Sequence, residues 1–173
     1  MATNRKIFWC GDPQRAGELA AFFVANVQPT YISHSELQGD RALGPSEWRD
    51  GLPELLQREI EPRLHDNRGG TPATTSRPVM VIEEEGVLVA LALVTFAGGQ
   101  PVPFAVIEDL VVAGAGRGHG VGKEAMDWIA AEATARGIRR LFLESGKDNH
   151  RAHHFFEREG FEICSVVMMR SLV

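Results

Sequence analysis

Ile107-Glu108-Asp109-Leu110-Val111-Val112-Ala113-Gly114-Ala115-Gly116-Arg117-Gly118-His119-Gly120-Val121-Gly122 decides how the rest of the chain is read. An apolar run from Ala105 to Val112 ends in alternating glycines around Arg117, and an alanine-rich segment with helical character follows. Glycine lets a backbone turn sharply and come close to a ligand. A helix that starts there aims unpaired N–H groups and the positive end of its dipole into the turn. The stretch is therefore expected to be strand, anion cradle and helix, with a pyrophosphate as the fitting anion.

Two nucleotide motifs fail on this loop. A Walker A loop needs glycine where Arg117 stands and Ser or Thr where Glu124 follows Lys123; without that hydroxyl a magnesium ligand is missing. The dinucleotide fingerprint needs a last glycine where His119 or Val121 stands, depending on where counting starts.

The remaining elements follow from periodicity and turn chemistry. Arg5 to Cys10 is a short β-prone run, and Asp12-Pro13 caps a helix carrying Leu19, Phe22, Phe23 and Val27. Residues 28 to 44 read as a polar loop. A second helix is expected from Pro45-Ser46-Glu47-Trp48, with Leu52, Leu55, Leu56 and Ile60 at helical spacing. Residues 63 to 78, rich in Pro, Gly, Thr and Arg, read as a mobile loop. Val79–Ile82 and Val87–Phe96 form a hairpin across Glu83-Glu84-Glu85-Gly86, and Val102–Val112 is a third strand. After the loop come a helix from about His119 to Arg136 with Gly137 behind it, a strand at Arg140–Glu144, a helix from Asn149 to Glu159 and a last strand from Phe161 to Leu172.

Composition narrows the class. At 173 residues the chain fits one domain, and a formal net charge of −5 argues against nucleic acid as partner. The two cysteines, Cys10 and Cys164, are too few for a disulfide framework or a four-ligand zinc site. No apolar run approaches a membrane span and no signal peptide is visible, so no membrane partner and a reducing cytoplasm are expected. His150, His153 and His154 lie one helical turn apart, but no supporting carboxylate cluster accompanies them; a solvated helix face is the expectation, and no metal.

The spacing Arg117-x-x-Gly120-x-Gly122, together with Asn149, Ala152, Phe155, Phe156 and Gly160-Phe161, resembles the GCN5-related N-acetyltransferase (GNAT) superfamily. The resemblance is specific over residues 103 to 172 and topological over 1 to 102. It implies an α/β (α+β) fold with a mixed, mostly antiparallel central sheet, helices on both faces and a splayed pair of central strands. It implies a single domain over 1–173: a first strand and acceptor-side helices in 1–62, the loop 63–78, and an acetyl-CoA-binding core in 79–173. It further implies acetyl-CoA as co-substrate, held by Leu110, Val111, Val112, Arg117, Gly118, His119, Gly120, Val121, Gly122 and Lys123, with Asn149, Ala152, Phe155 and Phe156 along the pantetheine arm. A backbone N–H near Leu110 or Val111 would bond the thioester carbonyl.

Transfer of acetyl to an amine is helped by a base that takes the amine's proton. Glu108 is the catalytic residue the resemblance favours, acting directly or through water, with Glu144 as second candidate. Alternation places Glu108 and Asp109 on opposite faces of their strand. The family's thiolate-protonating tyrosine is replaced by Phe156, which has no proton to give; Ser145, His154, Tyr31 or water would have to substitute. Tyr31, His34 and Trp48 are expected to line the acceptor site. The reading is an N-acetyltransferase acting directly on a primary amine of a small molecule. The alternatives are a protein or peptide N-acetyltransferase and a non-catalytic acyl-CoA-binding module. A homodimer is compatible with all three.

Overall fold

A computed structural model describes residues 4–172 of the chain. Its contacts group it into two compact units, one over residues 4–27 and 50–144 and the other over 28–49 and 145–172.

The first unit is built on β1 (Arg5–Cys10), β4 (Thr75–Ser76), β5 (Val79–Glu84), β6 (Val87–Ala97), β7 (Phe104–Val112) and β8 (Arg140–Leu143). The strand order is β1-β5-β6-β7-β8, with β4 on β6 ahead of β5. Every pairing is antiparallel except β7 with β8. The β5–β6 hairpin turns at Glu85-Gly86, both at positive φ (52° and 82°), the geometry of a tight two-residue turn. Val79–Ile82 and Ala90–Val94 are consecutive buried residues. A strand buried without alternation has both faces covered, here by α1 (Ala16–Asn26), α3 (Leu52–Asp66) and α4 (Val121–Ala135). Leu19 and Phe23 of α1, Leu56, Ile60 and Leu64 of α3, and Val121, Ala125 and Ile129 of α4 fill the space between. Trp9 of β1 packs at 4.7 Å on Trp128 of α4 and donates its indole N–H to Glu132 at 2.7 Å.

β7 differs from its neighbours. Ala105, Ile107, Asp109 and Val111 are buried, while Phe104, Val106, Glu108, Leu110 and Val112 are only half-buried. Its parallel ladder with β8 ends at the Ile107–Leu143 pair, well short of the end of β7 at Val112. β8 itself ends there, so residues 108–112 of β7 run on without a paired strand on that side among the described residues, in keeping with the splayed central pair that the resemblance implies.

The second unit holds α2 (His34–Gln38), the short pair β2 (Ala42–Gly44) and β3 (Glu47–Trp48), and α5 (His150–Arg158). Ser33 and Glu36 form a reciprocal capping box that starts α2.

Four sequence expectations are corrected. Residues 28 to 44 are not a plain loop, since the capping box makes a short helix there. Pro45–Trp48 does not begin a helix: Glu47–Trp48 pairs with β2, and Gly51 at φ 72° delays the helix to Leu52. Residues 63–66, assigned to the loop, continue α3 through Pro62, because Leu64 keeps the buried stripe of Leu52, Leu56 and Ile60; Thr75–Ser76 form β4. Phe161–Leu172 forms no strand. Its β-prone side chains, Ile163, Val166, Met168 and Leu172 among them, are exposed, and β propensity yields a strand only where a partner edge is paired.

Candidate active site

The glycine turn is a built structure. Gly114–Gly116 make a single 3₁₀ turn, Gly118 and Gly120 have φ of 85° and 81°, and α4 begins at Val121, two residues later than its sequence suggests. Gly120 is the residue before the helix, in a left-handed conformation that other residues adopt at a cost. A Cβ at Gly118 or Gly120 would meet nothing within 4 Å, so both positions border open space. The amides of Gly118, Gly120, Val121 and Gly122 make no hydrogen bond to the chain among the described residues. Four donors at a helix N-terminus beside open space fit a diphosphate.

Three side chains hold this shape. Arg117 donates from Nε to Val112 O at 3.3 Å and from a terminal nitrogen to Asn26 O at 2.5 Å. The Asn26 side-chain oxygen accepts from the Gly114 amide at 3.1 Å. Arg5 donates to His119 O at 3.3 Å and to Glu124 at 2.8 Å. Arg117, expected among the cofactor contacts, gives two of its N–H groups to backbone carbonyls and so latches the loop to the end of α1. Lys123 forms an exposed pair with Asp127 at 3.0 Å, and His119 is exposed.

Glu108 sits at an irregularity. On β6 the neighbours Leu93 and Val94 pair with Asp109 and Ile107, so Glu108 is an extra residue on β7, a β-bulge. Bulges re-aim side chains and recur beside active sites. Glu108 Oε1 accepts from Thr95 Oγ1 at 2.5 Å. Glu108 Oε2 accepts from Arg63 of α3 and lies 3.7 Å from the Arg77 guanidinium. The Arg63 side chain is 4% exposed, that of Glu108 30% and that of Arg77 62%. Burial alone would raise the Glu108 pKa. The Arg63 charge and the hydrogen bonds from Thr95 and Arg63 outweigh it, so the group is held below its ordinary value as a carboxylate. Asp109 is buried.

Sequence reasoning missed Arg63, Arg77 and Thr95. Arg63 was hidden by Pro62, which suggested that the helix had ended. The available signal was its place three residues after Ile60, on the buried stripe.

In the second unit Asn149 precedes α5, with its N–H bonded to Gly146 O at 2.9 Å and no side-chain capping bond. Ala152, Phe155 and Phe156 are half-buried, while His154 and Glu157 are exposed, which fixes the register of the helix. The Phe156 ring lies 5.3 Å from Phe155 and 6.0 Å from Phe161. Gly160 ends the helix at φ 87°. Tyr31 and Trp48 are brought together, with ring centroids 6.3 Å apart, and Trp48 Nε1 is a buried donor with no partner among the described residues. His34 is the first residue of α2 and is half-buried. Among the described residues no group of three or more His, Cys, Asp or Glu could hold a metal ion, and no helix is long and apolar enough to cross a membrane.

A mostly antiparallel sheet with parting central strands, a bulged strand and a glycine turn opening a helix define the GNAT architecture. The family model described as Acetyltransferase (GNAT) family matches residues 42–161, and the chain belongs to that family. Over 92 residues it is 35% identical to streptothricin acetyltransferase of Streptomyces lavendulae, covering 53% of this chain. The match spans about half, 47%, of that relative's length. Among solved structures, a mutant of a Bacillus halodurans protein superposes with a TM-score of 0.70 at 19% identity, covering 97% of this chain and 99% of that one. An aminoglycoside N-acetyltransferase in complex with CoA gives 0.63 at 14% identity over 100% and 98% of the two chains. At these identities the structures speak for the fold.

Proposed function

We propose that the protein is an acetyl-CoA-dependent N-acetyltransferase that transfers acetyl directly to a primary amine of a small molecule. The observation that carries this is the set of unpaired amides at Gly118, Gly120, Val121 and Gly122, following a strand that bears a bulged carboxylate, Glu108. The kinship with a streptothricin acetyltransferase and the likeness to an aminoglycoside N-acetyltransferase support an amine-bearing small molecule as acceptor.

Acetyl-CoA supplies the acetyl group as an activated thioester. The four amides hold its diphosphate, with Arg117 keeping the loop in shape and His119 and Lys123 on its rim. Leu110, Val111 and Val112 offer backbone groups to the pantetheine arm, and a backbone N–H near Leu110 or Val111 bonds the thioester carbonyl and strengthens as charge develops on that oxygen. Glu108 stays ionised at neutral pH, attracts the acceptor's ammonium and takes its proton directly or through one water. Asn149, Ala152, Phe155 and Phe156 border the pantetheine. Tyr31, His34 and Trp48 receive the acceptor. Since Phe156 has no proton to give, the leaving thiolate is protonated by water or departs unprotonated.

The test is thiol release from acetyl-CoA over a panel of aminoglycosides, streptothricin-like amines, lysine derivatives and peptide N-termini. Release with small amines supports the reading, and release with peptides alone redirects it to protein acetylation. Binding of acetyl-CoA without release over the whole panel would make the chain a non-catalytic acyl-CoA-binding module, the reading that Phe156 favours.

A further inference from the structure

We infer that Arg63 is a positioning residue that staples the β7 bulge and thereby sets both the orientation and the ionisation of Glu108. The inference rests on the reading of Glu108 as the base. Three observations carry it.

The first is what Arg63 touches. One terminal nitrogen of its guanidinium donates to Glu108 Oε2, the carboxylate of the extra residue. The other reaches the Val94 carbonyl at 3.5 Å, on the strand opposite the irregularity and at the point where the register shifts. A planar guanidinium can hold two acceptors in fixed relation, which a lysine ammonium on a flexible stem does less well.

The second is position. Arg63 projects from the buried stripe of α3, and only 4% of its side chain is accessible. Its Nε is buried with no partner among the described residues. A buried cation with an unpaired donor is an expensive device for stability, since a well-packed apolar side chain would serve as well or better. Its presence makes sense if the charge is needed by the carboxylate it faces.

The third is the division of labour around Glu108. Thr95 takes one oxygen and Arg63 the other, while Arg77, 62% exposed, stands at 3.7 Å as an outer cation. Arg63 and Thr95 fix the carboxylate from inside the unit. Arg77 is placed where solvent can reach it, so an incoming ammonium can displace it from Glu108 without disturbing the two inner contacts. Asp109, buried next to Glu108 on β7, is a second negative charge acting on Arg63, smaller in effect than Glu108.

The test compares Arg63→Lys, Arg63→Met and Glu108→Gln by steady-state kinetics against pH, with acetyl-CoA and the best amine from the panel. Arg63→Lys keeps the charge but cannot hold both acceptors: kcat should fall by roughly 10²-fold, the usual effect of a small misplacement of a reacting group, with KM for acetyl-CoA and the acidic limb of the pH profile unmoved. Arg63→Met removes the charge, so the acidic limb should also move to higher pH. Wild-type kcat in Arg63→Lys, or an unmoved acidic limb in a folded Arg63→Met, would overturn the inference. If Arg63→Met does not fold, Arg63→Lys decides alone. Glu108→Gln separates the two claims. Wild-type turnover in it removes the base reading itself, whereas loss of turnover there beside unaltered Arg63 variants removes only the role of Arg63.

Discussion

Replacing Gly120 by Glu should abolish the tight binding of acetyl-CoA, and the structure sets the size of the effect. Gly120 lies at φ 81° with nothing within 4 Å of where a Cβ would be. Any side chain there pays for the left-handed conformation, about 1–2 kcal/mol of stability, but its Cβ meets no atom within 4 Å. Alanine should therefore give a folded, slightly less stable protein that still binds. Glutamate adds a negative charge beside the four amides proposed to hold the diphosphate. At about 5 Å and an effective dielectric near 20, one like-charge pair costs about 3 kcal/mol, a loss of roughly 200-fold. Glutamine supplies the same bulk without the charge, so the Glu-to-Gln ratio isolates the electrostatic part. Calorimetric titration with acetyl-CoA at low and at molar salt is the assay, because the difference should shrink as the screening length falls to about 3 Å. Equal affinities for Gly120→Glu and wild type would remove the cradle from the reading. Equal losses for Glu and Gln would mean that space, not charge, is what the glycine preserves.

Other perturbations test separate parts of the molecule. Glu108→Gln should lower turnover by roughly 10²–10⁴ at neutral pH with little change in acetyl-CoA affinity, as read from kcat and from calorimetry. Because the folded-state pKa of Glu108 is depressed below that of the unfolded chain, its ion pair stabilises the fold above about pH 4 and is lost as pH falls through the folded value; thermal melts of wild type should drop more steeply on acidification than those of Glu108→Gln. Phe156→Tyr should fold, since the ring is half-buried, and should speed turnover if thiolate departure limits the rate; severe loss of Tm would place that ring in a dry core instead. Gly146→Ala should destabilise strongly, because its Cβ would fall 2.3 Å from Thr30 O and 2.5 Å from Ile32 O, both backbone atoms that cannot swing away; a Tm within a degree or two of wild type would contradict that close approach.

How much the chain announced of itself depended on whether a signal was local. The glycine turn and its helix were legible because backbone conformation there demands glycine, and the β5–β6 hairpin was legible from Glu-Gly at its turn. The stripe Ala152, Phe155, Phe156 fixed the register of α5 for the same reason: amphipathic spacing is local. The errors came where two local rules competed. Pro62 signalled a stop, yet a helix already packed through Leu56, Ile60 and Leu64 continues past one lost hydrogen bond. Phe161–Leu172 reads as a strand by composition, but a strand exists only with a paired edge, which composition does not encode. In the site, Glu108 could be singled out from the sequence, but its partners Arg63 and Thr95 could not. They come from a helix 45 residues and a strand 13 residues away, and only the bulge brings them to one carboxylate.

The latch formed by Arg117, Asn26 and Val112 has a consequence for how a chain of net charge −5 can hold a polyanion at all. Arg117 gives two of its N–H groups to carbonyls, and the turn beside it presents uncharged amides. Their attraction is that of oriented dipoles at short range, added to the charges of the exposed Arg117 and Lys123. Because the loop is already tied down at its base, a ligand arriving there does not have to freeze a mobile segment, and the entropy that such ordering would consume stays out of its affinity.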